Sequence, residues 1–274
     1  MVQEPGTKLA LVAAPPGFGK TSLLAEWVMQ HPGQVAWLSL DEGDNDNVRF
    51  WDYVIAALQK VHANLGDSML VLLHEPNPLP MPALLSILIN EVAALPAPLT
   101  LVLDDYHAIH AEAIHQGITF LLDHMPPQMR LVMATRTEPP LPLARLRVRG
   151  ELVELRAGAL RFSTEESASF LTQVPGLHLD ETAIAALTQR TEGWAAGLQI
   201  AALALQGRTD ANQFVQTFAG DHRFILDYLA GEVLERQPAG VQEFLLQSSI
   251  LVRLNASLCE CVTGQPHARA QLEC

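Results

Sequence analysis

Cysteine is scarce in this chain: three residues of 274, Cys259, Cys261 and Cys274, all near the C-terminal end. So few, so clustered, they exclude a disulfide framework and fit a reducing, cytoplasmic location. Cys259-x-Cys261 has no partner pair nearby to complete a zinc site and reads as two part-buried thiols. Basic residues are also few: Lys and Arg number 17 against 30 Asp and Glu, a formal net charge of −13. An acidic surface repels phosphate backbones, which counts against direct binding of DNA or RNA. Long apolar runs are missing too, and no window reaches the roughly 18 uninterrupted apolar residues of a membrane-spanning helix. The opening Met1-Val2-Gln3-Glu4-Pro5 lacks the basic-then-apolar layout of a secretory signal. Internal repeats and low-complexity tracts are not found. Hydrophobic residues, by contrast, make up 49% of the chain, enough to bury a large core in two or three compact units.

The most informative stretch is Ala14-Pro15-Pro16-Gly17-Phe18-Gly19-Lys20-Thr21. An apolar run, Leu9–Ala13, precedes it, and a helical pattern from Ser22 to Val28 follows, so strand, glycine loop and helix stand in the order a phosphate-binding loop requires. Gly17 and Gly19 can take backbone angles closed to bulkier residues, which lets consecutive N–H groups turn inward around an anion. The helix adds the positive end of its dipole. Lys20 supplies a mobile charge for β- and γ-phosphates, and the Thr21 hydroxyl is placed to ligate Mg²⁺. The strict pattern begins with Gly, and here that position is Ala14.

Hydrophobic patterning predicts further strands over 34–40, 99–103, 130–135 and 151–155, and helices over 21–30, 48–62, 81–95 and 113–124. Residues 66–82, with four prolines and little periodicity, read as a loop. Alternating strands and helices imply a parallel sheet covered on both faces. From Ser163-Thr164-Glu165-Glu166, a helix-start signature with Ser163 as cap, the pattern is mainly helical. Helices are expected over 163–172, 180–190, 194–206, 212–237, 241–247 and 256–262.

Leu101-Val102-Leu103-Asp104-Asp105 is an apolar strand ending in two carboxylates. Ligands of a parallel sheet collect at the C-terminal ends of its strands, so Asp104 is expected beside the glycine loop, holding Mg²⁺ directly or through water. Asp105, one residue further out, can orient or polarise an attacking water. Arg136 ends the next apolar strand, where a cation can reach a γ-phosphate; a surface arginine capping a strand end accounts for the spacing equally well. His107, His110 and His115 read as a solvated loop rather than a zinc site, since no acidic or cysteine ligand has matching spacing. Trp27, Trp37, Trp51 and Trp194 read as core or half-core residues rather than ligand-stacking ones.

Several stretches resemble the MalT-like branch of the STAND class of signal-transduction ATPases, which includes the large ATP-binding LuxR-type transcriptional regulators. They are Leu11–Thr21, Asp46–Trp51, Leu103–His107, Thr135-Arg136 with Pro139–Arg147, Glu192–Gln199 and Phe244–Leu251. The Gly-Trp-Ala-Ala-Gly-Leu and Phe-Leu-Leu-x-x-Ser-Ile-Leu forms are much more specific than the glycine loop. The resemblance implies an α/β P-loop domain with a parallel sheet (AAA/STAND-type) at 1–158, a small helical domain at 159–210 and a partial winged helix at 211–274. It further implies a switch: ADP holds a monomeric resting state, ATP with an inducer favours self-association, and slow hydrolysis resets it. Carried over by position, Ala14, Pro15, Pro16, Gly17, Phe18, Gly19, Lys20, Thr21 and Ser22 hold the nucleotide, and Thr21 and Asp104 hold Mg²⁺. Asp105 orients water and Arg136 senses the γ-phosphate. DNA binding and inducer sensing would lie in domains absent from this chain, which resembles a fragment of a longer regulator. Relatives often carry Gly-x-Pro near the adenine, where this chain has Gly193-Trp194-Ala195. An ordinary P-loop ATPase or kinase of high turnover is the alternative.

Overall fold

In the computed structural model, the described residues are 6–31, 34–207, 211–215, 227, 230–235, 238–251, 254–265, 268 and 272. They fall into two compact units. The first comprises Met1–Ser163 together with Glu192–Ala196, and the second Thr164–Thr191 and Gly197–Cys274.

Five strands build the first unit: β1 (Leu9–Ala13), β2 (Val35–Ser39), β3 (Leu99–Asp104), β4 (Met129–Thr135) and β5 (Leu152–Arg156). All pair in parallel, in the order β2-β3-β4-β1-β5. Parallel strands need crossovers, which are supplied here by α1 (Lys20–Met29), α2 (Asn47–Gln59), α3 (Asp67–Leu73), α4 (Met81–Ala93), α5 (Glu112–Asp123) and α6 (Leu143–Val148). The central strands β1, β3 and β4 are buried on both faces, whereas the edge strands β2 and β5 are mostly half-buried, and alternate residues serve opposite layers. Leu9, Leu11, Leu101, Leu103, Leu131 and Met133 pack with Phe50, Trp51, Leu85, Leu88, Ile118 and Leu121 of α2, α4 and α5. Ala10, Val12, Val102, Val132 and Ala134 pack instead with Leu24 and Trp27 of α1. This period of two is the strand geometry itself.

Two expectations are corrected. Residues 66–82 are not all loop: α3 begins after Gly66, whose φ of 85° gives the left-handed start, and buries Met69 and Leu73. Seven residues are too few for a clear helical period, and tertiary burial decides the conformation. Residues 137–150, where Pro139, Pro140 and Pro142 precede Arg145, Arg147 and Arg149 and no helix is expected, contain α6, which buries Leu143 and Leu146.

The second unit is helical. Its elements are α7 (Thr164–Thr172), α8 (Glu181–Thr191), α9 (Ala195–Leu205, whose first two residues belong to the first unit), α10 (Ala211–Val215), α11 (Ala239–Ser248) and α12 (Ala256–Thr263). Leu171, Ile184, Leu187, Leu198, Ala201 and Leu205 are buried, and Phe244, Cys259 and Ala268 form a smaller cluster. Asn255 caps α12 by accepting from the Leu258 N–H at 2.9 Å, and Gly264 at φ 65° ends it. The helix expected over 212–237 lies mostly outside the described residues. No described helix is long and apolar enough to cross a membrane.

Candidate functional site

The strand order carries three chain segments to one edge of the sheet. Because β3, β4 and β1 are parallel neighbours, the residues after their C-terminal ends emerge side by side. Ala13 lies opposite Thr135, and the Ala14 N–H donates to the Thr135 carbonyl at 3.2 Å, so β1 runs directly into the loop. Gly17 and Gly19 have φ of 77° and 72°, the left-handed region that glycine enters without cost. Gly19 is the N-cap of α1, with no side-chain cap bond. The first-turn N–H groups of that helix, including those of Lys20, Thr21 and Ser22, have no partner inside the helix, as an anion site demands.

Lys20 is buried, and its ammonium donates to the Ala14 carbonyl at 2.7 Å and the Pro15 carbonyl at 3.2 Å. Burial pulls it below the usual lysine range, and the nearby Arg136 charge lowers it further, opposed by Asp105 and Asp104. Two cations held close together favour an anion between them, and a phosphate chain is such an anion. Arg136 thus stands within electrostatic reach of Lys20, at the end of β4.

The Thr21 hydroxyl donates to Asp104 Oδ1 at 3.3 Å across 83 positions of sequence. Asp104 is buried, and burial pushes its carboxyl above the ordinary range, while the Thr21 bond pulls the other way. A hydroxyl and a carboxylate oxygen side by side are the hard, oxygen-only donor set that Mg²⁺ takes. Asp105 follows in a left-handed conformation, φ 56°, which Asp tolerates better than most residues. Its N–H donates to Asp104 Oδ1 at 3.1 Å, and its carboxylate lies 3.7 Å from His107 Nδ1. The turn therefore separates the two carboxylates: Asp104 is held in, and Asp105 is half-exposed. Pro16 and Phe18 are half-buried, Pro15 and Ser22 exposed.

His115 corrects the reading of a solvated histidine loop. It is buried, its Nδ1 shares a 2.8 Å hydrogen bond with the Tyr106 hydroxyl, and burial lowers its pKa. The histidine spacing in sequence carried no sign of this, because the partner tyrosine belongs to the preceding turn. The tryptophans divide. Trp51 is fully buried, whereas Trp194 is half-buried and donates its indole N–H to the Pro16 carbonyl at 3.1 Å. Those two residues are 178 positions apart, so spacing gave no signal.

Comparison with known proteins assigns the chain. The model of the MalT winged helix domain matches residues 230–274. The transcriptional regulator MalT of Klebsiella pneumoniae is 36% identical over 268 residues, covering 97% of this chain and 30% of its own length. This chain is a MalT-like module. The module is also 34% identical over 269 residues to the serine/threonine-protein kinase PknK of Mycobacterium tuberculosis, covering 97% of this chain and 24% of that protein. It spans about a quarter to a third of the length of these relatives. Among solved structures, Cdc6p of Pyrobaculum aerophilum overlaps 99% of this chain and 80% of its own at a TM-score of 0.46 and 15% identity, a similarity too slight to build on. The architecture agrees with the assignment on its own evidence: a parallel α/β sheet with a glycine loop, a helical region, and a winged-helix match at the C-terminal end.

Proposed function

We propose that the module is an ATP/ADP-binding switch from a bacterial transcriptional regulator, with slow hydrolysis that sets the lifetime of its ATP state. The observation that carries this reading is the meeting of Thr21 with Asp104 at 3.3 Å beside the buried Lys20. A glycine turn before a helix has no need of that acidic partner; a phosphate and metal site does. In this reading the backbone from Ala14 to Ser22 cradles the phosphates and Lys20 leaves its loop carbonyls for β- and γ-phosphate oxygens. Thr21 and Asp104 would hold Mg²⁺, which when bound supplies charge neutralisation to the phosphates. Asp105 orients the attacking water, and its one-carbon side chain is a shorter base than Glu, consistent with weak or gated turnover. Arg136 meets the γ-phosphate charge and distinguishes ATP from ADP. We assign residues 1–158 to the nucleotide domain, 159–210 to a helical domain and 211–274 to the winged helix.

A switch differs from an ordinary enzyme in that γ-phosphate contacts bias two states rather than make product. Self-association in the ATP state is the expected output. DNA binding and inducer sensing are properties we place in other parts of the longer regulators. The kinase name borne by PknK favours a second reading, a P-loop enzyme of high turnover. Against it, the same segment matches both PknK and MalT, so neither protein's named activity is particular to the shared region. Sedimentation velocity of the full-length regulator with ADP, with ATP and with ATP plus inducer, alongside steady-state turnover, tests the choice. Assembly only with ATP and slow turnover support the switch. Monomeric behaviour in all three conditions sinks it, and turnover of about 1–100 per second marks an enzyme.

A further inference from the structure

The segment Glu192–Ala196 belongs to the first compact unit although its sequence neighbours on both sides belong to the second. It is held in an unusual shape. Glu192 and Gly193 both lie at positive φ, 50° and 68°, and the first of these is not glycine. Such angles persist where surrounding contacts over-determine them, and they gather at ligand clamps. The contacts are present: the Phe162 N–H donates to the Gly193 carbonyl at 2.8 Å, and Arg161 pairs with the Glu192 carboxylate at 2.6 Å. From this bend the segment makes two bonds to the glycine loop. The Trp194 indole N–H donates to the Pro16 carbonyl at 3.1 Å, and the Ala196 N–H donates to the Gly17 carbonyl at 2.9 Å.

We propose that this segment is a strap that sets the phosphate loop, with Trp194 as a positioning residue for phosphate binding. The inference rests on the nucleotide reading above. Its physical basis is the planar trans peptide, in which the carbonyl of one residue and the N–H of the next point in opposite directions. Tying the Pro16 carbonyl to Trp194 turns the Gly17 N–H away from the strap. Tying the Gly17 carbonyl to Ala196 does the same for the Phe18 N–H. Two successive N–H groups facing one way form the concave nest that binds anions, and Gly17 at φ 77° permits the turn between them. Trp194 thus acts on the phosphates through the loop backbone, without stacking on a base. Its indole has a donor and no acceptor, so it bonds an acceptor of the loop and cannot take up the loop N–H groups.

The test compares the whole chain with Trp194→Phe, which keeps an aromatic ring and removes the donor, using ATP, inorganic tripolyphosphate and adenosine as titrants. The strap predicts that ATP and tripolyphosphate both weaken by the same factor, about three- to tenfold, the worth of one neutral hydrogen bond. Adenosine affinity should stay as in the wild type, the urea midpoint should fall by no more than about 0.75 M, the worth of that one bond, and the Ala196 amide should exchange faster. Equal tripolyphosphate affinity in wild type and Trp194→Phe overturns the strap alone. A loss confined to adenosine overturns it in favour of base stacking. Parallel loss of all three titrants with a lowered urea midpoint also overturns it, because Trp194 would then serve only stability. Failure of the wild type to bind either ATP or tripolyphosphate removes the nucleotide reading and the strap with it.

Discussion

Replacing Gly193 by alanine should cost far more than the same change at Gly150, although both glycines have a φ of 68°. The shared backbone angle imposes a shared penalty, about 1–2 kcal/mol for a left-handed non-glycine residue. At Gly150 nothing lies within 4 Å of the added carbon, so the penalty ends there. At Gly193 the carbon would sit 2.4 Å from the Phe162 carbonyl oxygen and 2.9 Å from its nitrogen. Both are backbone atoms and cannot rotate aside. The chain must move, which costs about 1–3 kcal/mol for overpacking. It also stretches the 2.8 Å bond from the Phe162 N–H to the Gly193 carbonyl, worth about 0.5–1.5 kcal/mol. The total for Gly193→Ala is about 2.5–6.5 kcal/mol, about 1.5–4.5 kcal/mol of it beyond Gly150→Ala. All four tryptophans, Trp27, Trp37, Trp51 and Trp194, lie in the first unit, so their fluorescence follows that unit's unfolding specifically. With a urea slope of about 2 kcal/mol/M, the extra cost lowers the midpoint by about 0.75–2 M. Midpoints that agree within about 0.3 M would refute the steric reasoning and the placement of Glu192–Ala196 against Phe162.

Other consequences are open to direct measurement. Lys20→Ala removes the buried ammonium, and ATP affinity measured by calorimetry should fall at least about a hundredfold; unchanged affinity would exclude the loop as the phosphate site. Asp105→Asn should leave ATP bound while single-turnover hydrolysis slows by about a hundredfold or more, as loss of a positioned base implies; unaltered hydrolysis would remove Asp105 from the chemistry. Glu154 accepts two hydrogen bonds from Arg147, at 2.7 and 2.9 Å, and a third from Arg156, and Arg147 chiefly holds its carboxyl at about 2 against a usual 4.5. A depressed carboxylate adds stability that is complete above pH 4.5 and is lost as pH falls towards 2. The gap in thermal midpoint between wild type and Glu154→Gln should therefore close across that window, and a gap that widens on acidification would contradict the pairing. The pair is exposed, so the effect is small.

The parallel α/β sheet was legible because its strands are short, largely apolar runs, the central three buried on both faces, between stretches of helical period. The site was legible in pieces for a related reason. Glycine, lysine and threonine stand at fixed spacing within one short stretch, and the paired carboxylates end an apolar strand. The structure places Thr21 against Asp104 and Arg136 within electrostatic reach of Lys20. The short helices α3 and α6 were not legible, since seven and six residues are too few to express a period. Nor was His115, whose burial depends on what packs over it rather than on its neighbours in the chain.

By itself, then, the sequence determined everything that follows from local covalent order: the glycine loop between strand and helix, the alternation that builds a two-faced sheet, and the acidic balance. Only the tertiary structure decided that β4 separates β3 from β1, that Thr21 spans that gap to Asp104, and that Trp194 and Ala196 return to the loop carbonyls of Pro16 and Gly17. Those contacts join residues 83 and 178 positions apart. Local propensity has no term for such distances. They form because burying both faces of the sheet and both helical layers at once leaves the chain this path, and the hydrogen-bonding groups brought together on it must then find partners.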